Sequence, residues 1–343
     1  MNKGLLEYRA VFILLIFLYH AGLLSIGGTF GVCAFFILSG FCTTMAYKTR
    51  VSDISFSYKQ YLRRRLVKYY PLHWLLLVPA FVSELFTGYT MVKSTVVLVI
   101  NALLLQSLIP IKEFFFSYNA VSWYLSDTVF FVLVSPFILQ VFFKLRWGGQ
   151  ILLMFLLMVL TVILFTLCPA NMRHPLFYIN PISRLVDFIL GVFLAYQYNV
   201  ITENETVRRT MTIFKNNSLL YAFVFIGIVI TCVFIYNHLS GLGFLSSIFW
   251  SPCIVLLLLC SQCSMKRIKF VQAFGTVSFE FFMVHQLVMN FITKLRLAGF
   301  LEVSSKSLVV TLDFVAALVL AVFLHRFFTQ PIINRFRIRE RGV

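Results

Sequence analysis

Apolar stretches of roughly 18 residues or more recur from one end of this chain to the other, and they decide what it can fold into. Only a helix or a closed barrel satisfies its own backbone groups inside lipid, so each such stretch reads as a helix. Composition agrees: 60% of the 343 residues are hydrophobic and only 12% are charged, with mean hydropathy +0.92. Glycine and proline are scattered, with no low-complexity tract and no period of the repeat-protein kind. The chain is expected to be an all-α polytopic integral membrane protein, a single membrane domain over 1–343 with no separate soluble domain.

The expected spans are 10–26, 29–47, one crossing within 72–109, 121–143, 150–168, 181–199, 219–237, 243–262, 273–293 and 307–329, about ten in all. Lys and Arg concentrate in 48–68, at Lys144 and Arg146, at Arg208, Arg209 and Lys215, at Lys266, Arg267 and Lys269, and in the tail from Arg335 to Arg341. Placing these clusters and both termini in the cytoplasm satisfies the positive-inside rule. It requires 72–109 to cross once, with one of its two apolar pieces a half-helix or interfacial segment. Residues 52–70 read as a basic amphipathic segment on the cytoplasmic surface. The remaining loops are too short to fold alone, so chemistry falls to side chains on facing helices. The first apolar run lacks a small-x-small cleavage site and is expected to stay attached. The net charge of +17 belongs to these loops, where it meets anionic lipid heads. Nucleic acid is not an expected partner.

Two features carry the candidate chemistry. The first run holds Arg9 and His20, about 16 Å apart along a helix. An ionisable group inside a span is a functional candidate, and a neutral imidazole suits a general base taking a proton from a hydroxyl. A structural hydrogen bond to a neighbouring helix is the plainer alternative. The second feature is the block Arg63-Arg64-Arg65-Leu-Val-Lys68. Such runs bind lipid phosphates; they also suit a polyanionic cytosolic ligand, because guanidinium matches phosphate oxygens in pairs.

Further polar groups lie within spans: Arg184 with Asp187 three residues on, Ser278-Phe-Glu280 through His285, and Trp123-Tyr-Leu-Ser126-Asp127. Together they need a shared hydrated cavity. His73, His174, His238 and His325 are assigned no role. The seven cysteines lie in or beside apolar runs, and the Cys260-x-x-Cys263 pair has no second pair to complete a metal site, so no metal is expected. P-loop, HExxH, GxSxG and aspartate-rich diphosphate-metal signatures are missing from the sequence.

Taken in order, these stretches resemble acyltransferase family 3, the integral-membrane O-acyltransferases of bacterial surface carbohydrates. Arg9-x10-His20 looks like the family's first helix, and Phe35-Phe-Ile-Leu-Ser39-Gly-Phe41 looks like its FFxLSGF. Tyr61 to Pro71 resembles its cytoplasmic RRxxRxxP. Arg184-x2-Asp187-Phe-x2-Gly191 and Ser278-x6-His285 are similar to its RxxEFxxG and SYxxYLxH segments. Lys68 stands where the family usually has arginine, keeping charge but losing bidentate geometry. Trp123 to Asp127 departs from the commoner WSLSxE and looks closer to a branch with WxLRDL followed by Ser-Pro, here Ser135-Pro136. An extra esterase-like domain, frequent in the family, is not expected.

The resemblance implies transfer of an acyl group, usually acetyl, from cytosolic acyl-CoA to a hydroxyl of a cell-surface polysaccharide or its lipid-linked precursor. The setting is the bacterial inner membrane. His20 is then the general base or a transient acyl carrier, Arg9 orients the donor, and Arg63, Arg64, Arg65 and Lys68 hold its phosphates. Ser39, Trp123, Asp127, Arg184, Asp187, Glu280 and His285 are the site-lining candidates. Expected partners are acyl-CoA, the carbohydrate acceptor, membrane lipids and polysaccharide-assembly proteins. A transporter using the same buried charges is the rival reading, but it predicts paired interrupted helices and only 72–109 is interrupted. An accessory subunit that keeps the fold is a third.

Overall fold

A backbone carbonyl in hydrocarbon has no water to turn to, and the chain answers with helices throughout. The computed structural model describes residues 3–85, 91–238, 246–264, 269–302 and 305–341, with no strand among them. In chain order the helices are α1 (Lys3–His20), α2 (Gly27–Tyr47), α3 (Tyr58–Leu66), α4 (Tyr70–Leu85), α5 (Met91–Ala102), α6 (Lys112–Phe115), α7 (Trp123–Lys144), α8 (Trp147–Leu167) and α9 (Ala170–Arg173). There follow α10 (Pro181–Glu203), α11 (Glu205–Asn216), α12 (Ser218–His238), α13 (Trp250–Gln262), α14 (Lys269–Thr276), α15 (Ser278–Leu297), α16 (Lys306–Leu324) and α17 (Gln330–Arg341). Two π-helical turns, His174–Ile179 and His325–Thr329, precede α10 and α17.

Six helices among the described residues are long and apolar enough to cross a membrane: Gly27–Tyr47, Ala120–Lys144, Trp147–Leu167, Pro181–Glu203, Ser218–Tyr236 and Lys306–Phe336. Four further expected spans differ, each for a visible reason. α1 carries Lys3, Glu7 and Arg9 within its 18 residues. The 72–109 stretch divides into α4 and α5, of 16 and 12 residues. Of 243–262, residues 243–245 lie outside the described residues and α13 itself has 13 residues. The 273–293 run breaks at Val277, where α14 gives way to α15, which carries Glu280, Lys294 and Arg296. Lys266 and Arg267 lie outside the described residues, as do 86–90 within 72–109.

The chain forms two compact units, Met1–Phe56 with Leu133–Thr276, and Ser57–Val132 with Val277–Val343. In the first, α2 and α10 touch backbone to backbone. A Cβ on Gly40 would lie 2.0 Å from the Phe188 carbonyl oxygen, and one on Gly191 would lie 2.0 Å from that of Ile37. Gly40 and Gly191 are the glycines of the two motifs quoted above, so their place there follows from helix contact, as small residues allow in membranes. α1 is fastened by Glu7, fully buried, which accepts from Ser264 Oγ and Gln272 Nε2, both at 2.9 Å. α8 and α12 turn side chains such as Phe155, Leu164, Phe223 and Phe234 outward, as helices facing hydrocarbon do.

In the second unit, α4 caps α5. The last carbonyls of a helix lack intrahelical partners. Here Asn101 O receives His73 Nε2 at 2.8 Å, Ala102 O receives Trp74 Nε1 at 2.9 Å, and Leu103 O receives the Tyr70 hydroxyl at 3.0 Å. The aromatic stretch after the basic block is thus a set of three donors, and His73 carries its proton on Nε2. The chain then turns at Leu104, whose φ is 56°. That left-handed conformation is strained for leucine, but its side chain is buried and its carbonyl accepts from Ser126 Oγ at 2.6 Å.

The α2–α10 crossing predicts a sharp contrast among glycine variants. Gly40→Leu or Gly191→Leu is expected to lower stability by a few kcal/mol, on the order of an overpacked core or more. Gly148→Leu, where an added Cβ meets nothing within 4 Å, is expected to be neutral. Thermal unfolding of detergent-solubilised protein separates them, and equal melting of all three variants would refute the close-contact account.

Candidate functional site

His20 ends α1 rather than sitting inside a longer span. Gly22 adopts φ 66°, its N–H bonds Tyr19 O at 3.0 Å, and the Leu23 N–H bonds Leu18 O at 2.9 Å. This is a Schellman stop, which favours glycine because a left-handed residue is required. The imidazole is therefore half-buried at a helix terminus rather than in mid-span. Its ring lies 5.1 Å from that of Tyr19. Arg9, half-buried, is on the same helix about 16 Å away. Ser39 is half-buried on α2, next to the contact glycine Gly40.

Beyond Tyr19 the site continues into α10. A Cβ on Gly28 would meet the Tyr19 ring at 2.9 Å and the Tyr178 hydroxyl at 3.3 Å, so these groups close around one point. Tyr178 sits on the π-helical turn before α10, with the His174 ring 5.2 Å away. α10 starts on Asn180-Pro181: the Asn180 side chain accepts from Ile182 N at 3.0 Å, and proline fills the first helical position. Removal from water pushes the Tyr178 hydroxyl up, with the Arg184 charge pulling the other way.

Arg184 is 1% exposed and Asp187 fully buried, with Nη2 and Oδ2 2.9 Å apart. The guanidinium carbon lies 5.1 Å from the Phe36 ring and 5.8 Å from the Tyr178 ring, a cation held between aromatic faces. Its Nε and Nη1 are buried without a hydrogen-bond partner. Trp250 Nε1 donates to Asp187 Oδ1 at 2.6 Å. The expected pairing of Arg184 with Asp187 is present, and Tyr178 and Trp250 join it. Neither aromatic is signalled by motif spacing; each comes from a distant stretch that only packing brings in.

The remaining candidates belong to the second unit. The basic block divides at a turn. Arg63, Arg64 and Arg65 close the last turn of α3, where cations suit the helix dipole, and Lys68 follows in the turn before α4. The Arg63 guanidinium lies over Phe336 at 5.2 Å, Arg65 over Tyr61 at 5.8 Å, and Lys68 Nζ over Tyr69 and Phe279 at 5.4 and 5.7 Å. Arg63 and Arg64 are exposed. Of the expected 52–70 segment Tyr58–Leu66 forms α3, started by Ser57, whose Oγ accepts from Gln60 N at 3.3 Å, and Tyr70 already opens α4.

Trp123 and Asp127 are one turn apart on α7, both buried. Their neighbour Ser126 accepts from Ser107 Oγ at 2.6 Å while donating to Leu104 O, and Gln106 Nε2 reaches Ser122 Oγ at 3.1 Å. The Trp123–Asp127 stretch therefore clasps the strained turn after α5. On α15, His285 is fully buried and its Nδ1 lies 2.8 Å from Phe282 O. Glu280 Oε1 lies 2.9 Å from Nδ1 of His325, at the π-helical turn. Cys260 lies against the Tyr221 hydroxyl at 3.1 Å, as a packed core cysteine does.

A family model described as an acyltransferase domain, that of acyltransferase family 3, matches residues 8–326. No curated protein and no solved structure matches the chain.

The buried pair makes a stability prediction. Arg184→Leu alone leaves the Asp187 carboxylate without its cation and is expected to cost about 3–5 kcal/mol. Arg184→Leu with Asp187→Leu is expected to recover most of that. Trp250→Phe, which keeps a ring and loses the donor, is expected to cost about 1.5–3 kcal/mol. Denaturation midpoints of the three variants decide it: a double variant no more stable than Arg184→Leu would mean the pair is not energetically coupled.

Proposed function

The chain belongs to acyltransferase family 3, and from that membership we propose that this membrane acyltransferase moves an acyl group, acetyl by family frequency, from acyl-CoA to a hydroxyl of a cell-surface polysaccharide or its lipid-linked precursor. The observation that carries the reading is His20, a half-buried imidazole at the end of α1 against the Tyr19 ring. A reacting group must be reachable, and of the histidines on α1 and α15 this one is, whereas His285 is fully enclosed.

In the proposed reaction the neutral imidazole of His20 takes the proton of the acceptor hydroxyl as its oxygen attacks the thioester carbonyl. The C–S bond then breaks, and the departing CoA thiolate takes the proton from the imidazolium. Arg9 orients the donor. Arg63, Arg64, Arg65 and Lys68 hold the 3′-phosphate and pyrophosphate; the exposure of Arg63 and Arg64 supports that role. Lys68, braced by Phe279, supplies charge without a bidentate fork. Arg184, enclosed at 1% exposure, acts by positioning Tyr178 beside Tyr19 and His20. Asp187 fixes Arg184 and Trp250. Ser39, Trp123, Asp127, Glu280 and His285 remain the further site-lining candidates of this proposal. The proposed setting is the bacterial inner membrane, with both termini cytoplasmic.

Purified protein in nanodiscs with radiolabelled acetyl-CoA tests this. Wild type is expected to bind acetyl-CoA and transfer label to a surface-glycan fraction. Arg64→Ala/Arg65→Ala/Lys68→Ala is expected to lose binding. His20→Ala should retain binding while transfer falls by about 10²–10⁴-fold, the usual contribution of a general base. Single-turnover label recovered on His20 would replace direct attack by an acyl-histidine route. Wild type that binds no acetyl-CoA would remove the reading altogether.

A further inference from the structure

A carboxylate is costly to enclose unless something holds it, and Glu280, in the first turn of α15, is buried. What holds it is His325, whose Nδ1 lies 2.9 Å from Oε1. An ionised carboxylate only accepts, so Nδ1 carries the proton and donates it, and that bond settles which nitrogen is left over. The remaining nitrogen is Nε2, on the opposite edge of a side chain that keeps 19% of its surface exposed. His325 opens the π-helical turn His325–Thr329, in which the Gln330 N–H reaches back five residues to His325 O. Such turns recur at functional sites. A carboxylate behind one ring nitrogen, with the other unspent, is how proteins aim a histidine at a ligand.

The surroundings of this dyad decide the charge of that ligand. Phe279, the residue before Glu280, has its ring 5.7 Å from Lys68 Nζ and 5.6 Å from the ring of Tyr69. α4, which starts two residues after Lys68, packs against both α15 and the π-helical turn. Arg63 ties the basic block to α17 through Phe336, and Arg326, next to His325, is exposed. The dyad thus stands at the end of the second unit that carries Arg63, Arg64, Arg65 and Lys68. Two hydroxyls on the same two turns, Ser278 Oγ and Thr329 Oγ1, are buried without a hydrogen-bond partner. Cations, leftover donors and an aimed imidazole together suit a phosphate group.

We propose that His325, oriented by Glu280, binds a phosphate monoester beside the basic block, the 3′-phosphate of acyl-CoA, and so makes the site selective for CoA over nucleotides that lack it. The assignment rests on the acyltransferase reading and deepens it: arginines and Lys68 attract any phosphate, whereas the imidazole distinguishes one kind. A phosphate monoester has its second ionisation near pH 6, about where an ordinary imidazole changes protonation. The two can therefore share one proton in a single N–H–O bond, which the doubly esterified phosphates of a pyrophosphate link cannot do. Glu280 is a positioning residue in this scheme, since it touches the ring and not the ligand. The same chemistry is presented by a lipid with a monoester head, phosphatidic acid, and the experiment separates the two sources.

The test uses full-length protein in phosphatidylcholine nanodiscs and compares equilibrium binding of acetyl-CoA with that of acetyl-dephospho-CoA, which lacks only the 3′-phosphate. Wild type is expected to prefer acetyl-CoA. His325→Asn keeps a donor for Glu280 and loses the outward nitrogen. It is expected to bind acetyl-CoA about tenfold more weakly, as loss of a charge-assisted hydrogen bond implies, and the dephospho form as wild type does. His325→Gln, whose amide reaches the position of Nε2, should keep part of the preference. Glu280→Ala, which unfastens the ring, should show the same one-sided loss, so the comparison stands if one variant does not fold. Equal weakening of both ligands means that the dyad only supports the fold, and overturns the assignment, as does an undiminished preference in His325→Asn. Phosphatidic acid added to the bilayer should leave acetyl-CoA binding unchanged; competition seen in wild type and lost in His325→Asn would give the site to a lipid head. Wild type that binds both ligands without preference overturns the assignment alone. Wild type that binds neither removes the acyltransferase reading, and the assignment with it.

Discussion

The crossing of α2 and α10 is the contact on which the first unit depends. Two helices approach this closely only where neither carries a side chain, and Gly40 and Gly191 each face a carbonyl of the other helix. Everything else on the two helices takes its place from that point. Phe36, one turn before Gly40, is brought under the guanidinium of Arg184, two turns before Gly191. Arg184 in turn meets the Tyr178 ring, so Tyr178 is held where it closes over Gly28 with Tyr19. A steric fact about two glycines is thereby converted into the position of the aromatic groups beside His20.

Keeping a cation at Arg184 in such surroundings demands compensation from every side. The ion pair with Asp187 supplies part, and a desolvated cation over an aromatic face is worth about 2 kcal/mol or more. Trp250 steadies the carboxylate. Buried charge of this kind is a poor way to gain stability, since apolar replacements of similar volume often do as well or better. Its use lies in specification: arginine, aspartate, tryptophan and two rings meet in one arrangement that joins α10, α13, α2 and the π-helical turn, even though the guanidinium Nε and Nη1 keep no hydrogen-bond partner. That rigidity is what the proposed positioning of Tyr178 beside His20 would require.

Much of this could be read from the sequence, and the failures have physical causes. The bounds of α2, α8 and α10 follow hydropathy because those runs carry little charge. Asn180-Pro181 announces the start of α10 as a cap followed by proline. The pairing of Arg184 with Asp187 follows from three-residue spacing on a helix. Hydropathy carries the first run past His20 because Ala21-Gly22 passes as apolar, although the glycine is what stops the helix. The run 273–293 reads as continuous because the apolar residues on either side outweigh Gly275 and Ser278, the two weak break signals that flank Val277. His73 gave no sign of capping α5, since its partners are backbone carbonyls some 28 residues away. Tyr178 and Trp250 were out of reach for the same reason. A hydropathy profile records what each residue prefers, and these two acquire their meaning from a residue on another helix.

The setting of His20 bears on how a thioester would be kept from water. Hydrolysis is the side reaction that any acyl transfer from CoA must suppress, and a closed, dry site is the general means. The groups gathered beside His20 are rings: Tyr19 at 5.1 Å, then Tyr178, which closes with Tyr19 over Gly28. Such a wall offers water few partners, while the tyrosine hydroxyls can still orient a sugar, since aromatic faces and hydroxyl tips suit a ligand that is apolar on one side and polar on the other. On this account the histidine need not be buried to be selective. In the proposed reaction, a half-buried histidine at a helix terminus would meet an acceptor hydroxyl against these rings rather than against bulk water.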